Sequence, residues 1–172
     1  ETIRNSGESL LVIINDVLDY SKIEADKLIL HPEPFDLEKA VHEVMMLLQP
    51  IARDKGLALL VDYDMFLPTR FIGDPGRLRQ VLTNLLGNAV KFTANGTITV
   101  RVLRDPDNAD YAFFEVHYSG IGISEEQLKK VFEPFYTTKR GNGNAGLGLS
   151  VVYNLIKVTL SSNVYNESKP EE

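Results

Sequence analysis

The segment GDPGRLRQVLTNLLGNAVKF (73–92) constrains this chain most. Asp74 is a residue type that caps helix N-termini. Pro75 follows at the first helical position, where its missing N–H is no loss. Leu78, Val81, Leu82, Leu85, Ala89 and Phe92 then recur at helical spacing, so a helix over 73–92 must bury that face against another layer. Two strand-like runs follow, 97–104 and 111–117, joined by the turn-rich DPDNAD. A capped amphipathic helix running into paired strands implies a sheet with helices on one face.

The flanking segments fit that frame. Residues 3–28 read as one amphipathic helix with a broad apolar stripe at Leu10, Ile13, Ile14, Val17 and Leu18. The two prolines of HPEPFD (31–36) interrupt it and set a boundary, with a helical segment at 1–30 and a domain at 31–172. Asp36 caps a helix over 37–55, Gly56 ends it, and LALLVDY (57–63) is a strand. SEEQ (124–127) is a capping box for a short helix reaching Val131. YTTKRGNGNA (136–145) reads as a mobile loop, 146–158 as a helix and 163–168 as a last strand. The expected fold class is α+β, a two-layer α/β sandwich preceded by one long helix, with no internal repeat.

Composition narrows the partners. A net charge of −6 argues against nucleic-acid binding, which needs a basic surface. The absence of cysteine excludes disulfides, thiolate zinc sites and a thiol nucleophile. It also agrees with a reducing, cytoplasmic setting. No apolar run is long enough to span a bilayer. The sequence opens in mid-pattern without Met and reads as a piece of a longer protein, so any membrane attachment falls to other segments.

Three glycine- or amide-rich stretches carry candidate chemistry. SGIGIS (119–124) is either a structural turn or a backbone folded around a ligand. GNAGLGLS (143–150) is either a flexible loop or a helix entry whose N–H groups meet a phosphate. Asn84, Asn88 and Lys91 share one helix face, which suits a magnesium–phosphate contact or simply a solvated face.

Together these stretches resemble the catalytic domain of sensor histidine kinases. NLLGNAVKF resembles its asparagine box, GIGI its first glycine box, VFEPFYTTK its phenylalanine box and GLGLS its second glycine box, in the family's order. IGDPGRLRQVL resembles the lead-in to the asparagine box, and VLDYSKIEADKL the second helix of the dimerisation hairpin. The resemblance covers nearly the whole chain. It implies the ATP-binding fold shared with chaperone, mismatch-repair and gyrase ATPases, with ATP and Mg²⁺ as cofactors. It implies that Asn88 binds magnesium, that Asn84 and Lys91 lie along the phosphates, and that Gly120 and Gly122 shape the adenine side. Phe132 and Phe135 open the lid, Lys139 or Arg140 reaches a terminal phosphate or is solvated, and Gly146, Leu147, Gly148 and Leu149 meet the phosphates. It implies a homodimer through hairpin helices and a response-regulator receiver domain as partner.

Three departures bear on function. The family carries Asp-x-Gly-x-Gly at the first glycine box, where the Asp accepts from the adenine amino group; this chain has Tyr118 there. The acceptor histidine belongs to the first hairpin helix. His42, followed by Glu43, falls instead on the domain's own first helix and reads as structural. His117 falls at a strand end beside the pocket, without a metal-binding cluster. The family's closing Gly-Ser strand is also missing. Two functions follow: an ATP-dependent histidine kinase region with binding weakened by Tyr118, or a degenerate domain serving as a binding and dimerisation module. A chaperone-type or DNA-repair ATPase fits less well, given VFEPFYTTK and the hairpin-like helix.

Overall fold

The computed structural model describes residues 2–25, 27–106, 111–120, 124–137 and 146–159. Gly122, Lys139, Arg140 and the expected strand at 163–168 lie outside these. The chain divides into two compact units. One contains residues 1–30 with 123–169, and the other residues 31–122.

In the second unit, β1 (Glu33–Asp36) leads into α2 (Leu37–Asp54), followed by β2 (Ala58–Tyr63) and β3 (Arg70–Gly73). Then come α3 (Pro75–Phe92), β4 (Thr97–Arg104) and β5 (Ala112–Tyr118). The sheet order is β2-β4-β5: β2 runs parallel to β4, with Val61 opposite Val100, and β5 pairs antiparallel with β4. Ile98, Val100 and Val102 of β4 point to one side and are fully buried against Val41, Val44 and Leu48 of α2 and Leu82, Leu86 and Ala89 of α3. Leu86 rather than Leu85 takes the buried position on α3, and Leu85 and Phe92 are half-buried.

Both main helices are capped as their sequences require. Asp36 accepts from the Lys39 N–H at 2.9 Å, and Asp74 from the Arg77 N–H at 3.0 Å. α2 ends in a Schellman turn: Gly56 adopts φ +69°, its N–H reaches the Arg53 carbonyl, and the Leu57 N–H reaches that of Ala52, each at 2.9 Å.

A second, two-stranded sheet pairs β1 antiparallel with β3, with Phe35 opposite Phe71. The stretch read as a proline break is thus also a strand. A two-stranded ribbon consists only of edges, where Pro34 is tolerated.

The other unit contains α1 (Thr2–Glu24), α4 (Glu125–Leu128) and α5 (Gly148–Thr159). α1 stops four residues before the expected end, and α1 and α5 pack together. α5 buries Val151, Val152 and Leu155 completely. On α1, Leu10, Leu11, Ile14, Val17 and Leu18 are between 40 and 62% exposed. No described helix is long and apolar enough to cross a membrane.

Candidate functional site

The nucleotide-facing candidates fall into two groups, one in each unit. In the first group, α3 is anchored at its start by Asp74, which accepts from Arg77 and also from the His31 N–H at 3.1 Å. Burial opposes the charge of this carboxylate. The N–H groups of His31, Arg77 and Gly76, together with the Arg77 guanidinium, outweigh it and hold the Asp74 pKa below its ordinary value. Further along α3, Asn84 and Asn88 lie half-buried on one face of the helix. Neither amide has a protein partner among the described residues. Lys91 continues that face, exposed, with its ammonium 5.4 Å from the centroid of the Phe92 ring.

Tyr118 ends β5 directly opposite Ile98, and opposed residues of an antiparallel pair share a face. Ile98 is fully buried beneath the helices, so Tyr118 also faces the α3 side of the sheet. Its ring folds back over Gly120: a Cβ there would lie 2.9 Å from Tyr118 Cε2, and 3.5 Å from the Phe92 carbonyl oxygen. The residue is 39% exposed, and burial pushes the phenol pKa up, so the hydroxyl is neutral at physiological pH.

His117 alternates to the opposite face of the sheet from Tyr118. There its Nε2 lies 3.0 Å from Glu115 Oε2, and Arg101 bridges Glu115 and Asp62 at 3.0 Å each. His42 Nδ1 sits 2.9 Å from the Glu38 carbonyl of its own helix. No cluster of metal-ligating His, Asp or Glu occurs among the described residues.

In the second group, Phe132 stacks on Tyr153 with centroids 5.1 Å apart. Phe135 is exposed and adopts φ +62°, rare for a residue with a Cβ; its ring meets Tyr20 of α1 edge-on at 6.4 Å. Gly146 has φ +71°, and a Cβ there would come 2.6 Å from the Phe135 carbonyl carbon and 2.7 Å from the Tyr136 oxygen. Only glycine lets these backbones approach so closely. Leu147 is buried, and its carbonyl accepts from Ser150 Oγ at 2.8 Å and from the Val151 N–H at 2.9 Å. The N–H groups of Gly148, Leu149 and Ser150 precede that first helical bond, an arrangement suited to an anion.

Two features were not read from the sequence. Thr93, at the C-cap of α3, is buried with no hydrogen-bond partner for its Oγ1 among the described residues. Lys55 reaches from α2 to the end of α3. Neither belongs to a motif, and only the position of Lys55 just before Gly56 hinted at a fixed side chain.

A family profile described as "Histidine kinase-, DNA gyrase B-, and HSP90-like ATPase" matches residues 73–172, more than half of the sequence. The chain belongs to this family. Among curated relatives, it is 43% identical over 161 residues to the signal transduction histidine-protein kinase BarA of Escherichia coli, covering 90% of this chain and 18% of BarA. It is 40% identical over 175 residues to hybrid signal transduction histidine kinase L of Dictyostelium discoideum, covering 98% of this chain and 10% of that protein. The chain thus spans less than a fifth of these relatives.

Among solved structures, full-length ShkA in complex with AMPPNP superposes with a TM-score of 0.78 at 35% identity, over 90% of this chain and 32% of ShkA. The histidine kinase ThkA in complex with the response regulator TrrA gives 0.70 at 30% identity, over 92% of this chain and 43% of ThkA. The ATPase-family domain is therefore homologous to sensor histidine kinases and shares their mixed helix–sheet fold.

Proposed function

We propose that this chain is the nucleotide-binding and phosphoryl-transferring region of a sensor histidine kinase. Magnesium–ATP is the donor, a histidine on the hairpin helix that pairs with α1 is the acceptor, and an aspartate of a response-regulator receiver domain takes the phosphate onward. The observation that carries the reading is the α3 face: two amides without protein partners among the described residues, four residues apart, with an exposed lysine continuing the row. Asn88 offers the hard oxygen that magnesium accepts, and Asn84 and Lys91 orient the phosphates. The resemblance assigns the Gly146–Leu149 entry of α5, with Phe132, Phe135 and Lys139 of the lid, to nucleotide binding. Bound magnesium neutralises charge on the triphosphate. The chain's own part is positioning and hydrogen bonding, because no side chain on the α3 face is a strong base. The apolar stripe of α1 is the expected homodimer contact, and the domain works in the cytoplasm.

The phosphate end fits this ligand better than the base end. A half-exposed aromatic ring stands where the family places a carboxylate, so ATP is held weakly and with little base selectivity. Calorimetry with AMPPNP, with and without magnesium, tests the reading. Weak, magnesium-dependent binding that Asn88→Ala abolishes supports it; no binding at millimolar nucleotide refutes it. The folded-back ring also favours one second reading, a degenerate domain that binds and dimerises without turnover. Phosphotransfer to a supplied hairpin fragment separates the two.

A further inference from the structure

We infer that Lys55 is a positioning residue for the triphosphate, acting through the end of α3; the inference rests on the nucleotide reading above. A helix leaves its last carbonyls without helical donors. In α3 the ladder closes with the Thr93 N–H on the Ala89 carbonyl at 3.0 Å. The next two carbonyls, of Val90 and Lys91, both accept from Lys55 Nζ, at 2.8 and 3.1 Å. A cation at a helix C-terminus is favoured by the dipole as well as by the bonds.

The ammonium is itself held in place. The Schellman turn at Gly56 and the buried side chain of Leu57 fix the backbone from which Lys55 projects. Its two acceptors matter for the site because Lys91 is one of them. The main chain of Lys91 is gripped from the α2 side while its side chain continues the Asn84–Asn88 row. On that side a cavity of about 200 Å³ is lined by Lys55, Gly87, Val90 and Lys91 with Leu48 and Ile51. Without the ammonium, two carbonyls lose their donor, the last turn frays, and Lys91 loses its aim. Lys55 touches no reacting atom in this scheme.

The test compares the 172-residue chain with Lys55→Met, Lys55→Arg and Val44→Ala by AMPPNP–magnesium calorimetry and thermal unfolding. Met keeps the stem and removes the donors, Arg restores them, and Val44→Ala opens the core of α2 away from the site. Lys55→Met should bind about tenfold more weakly, with Lys55→Arg returning to within about threefold of the parent, the scale expected when a ligand-facing group is misplaced. Val44→Ala should bind like the parent despite its lower stability. Should Lys55→Met not fold, Lys55→Leu, which also lacks a donor, carries the same comparison. Unchanged affinity in Lys55→Met, or losses in Lys55→Met and Val44→Ala that simply track stability, overturn the inference alone. A parent chain that does not bind AMPPNP overturns the nucleotide reading and this inference with it.

Discussion

Replacing Tyr118 with Asp should tighten ATP binding while leaving the phosphate contacts untouched. The parent ring rests on Gly120, on the same side of the sheet as α3. On the proposed reading it both occupies space at the base end and, as a neutral phenol, offers no charged acceptor to an adenine amino group. A carboxylate there gains a charge-assisted hydrogen bond, about 1.5–3 kcal/mol in a cleft shielded from water. At 1.4 kcal/mol per factor of ten, affinity rises about ten- to a hundredfold. The position is 39% exposed, so competition from water favours the lower part of that range. Calorimetry with ATP and GTP on the parent, Tyr118→Asp and Tyr118→Phe decides the matter. The Asp variant should gain for ATP and not for GTP. The Phe variant should match the parent if the ring rather than the hydroxyl is the obstacle. Equal, micromolar ATP affinity in parent and Asp variant would refute the reasoning, because the ring would then be accommodated and the missing carboxylate unimportant.

Other perturbations test the scaffold, each read by chemical or thermal unfolding. Asp74→Ala should cost about 1 kcal/mol, the usual loss of an N-cap, while Asp74→Asn keeps most of the cap. The folded-state pKa of Asp74 lies below its ordinary value of 3.8, so its charge stabilises the fold above that pH. This contribution should fade as pH falls through the depressed value and be absent in Asp74→Asn, as paired acid titrations would show. Gly146→Ala should destabilise by about 2 kcal/mol or more, since its Cβ would meet backbone at 2.6 Å and φ +71° adds strain. Thr93→Val removes the one buried side-chain oxygen without a partner among the described residues, and should stabilise by about 1 kcal/mol.

The sequence disclosed those parts of the fold whose causes are local. Asp36 and Asp74 cap through their own next turns, and β4 has the expected bounds because period-2 alternation and a following turn define it. The β1–β3 ribbon escaped because it depends on pairing residues far apart in sequence, Phe35 with Phe71, which no local pattern records. α1 ends at Glu24 although polar and apolar residues continue in helical order; Ala25 still donates to Ser21, but the Lys27 N–H already reaches back five residues to Lys22. At the site, the shared face of Asn84, Asn88 and Lys91 followed from spacing alone. The direction of His117 needed a register: once Tyr118 is paired with Ile98, its neighbour must point the other way. The contacts of Lys55 were hidden for the same kind of reason, because its partners lie thirty-five and thirty-six residues on.

Tyr118 also shows why stability and function can separate at this position. An aromatic side chain opposite a β-branched one is a favourable cross-strand pair, contributing about 0.2–1 kcal/mol. Tyr118 and Ile98 form such a pair at the last register position of β5. The carboxylate that would recognise adenine has the opposite character there: it is poor in a strand and half-desolvated beside a buried isoleucine. The same substitution should therefore raise ATP affinity and lower the unfolding temperature of the free protein. Saturating ATP should then recover the lost stability, since a ligand that binds only the folded state stabilises by mass action. A ligand-free Tyr118→Asp chain at least as stable as the parent would mean that the ring contributes nothing to the strand. Its place over Gly120 would then have no structural justification, and the ring would have to be explained by what it binds or excludes.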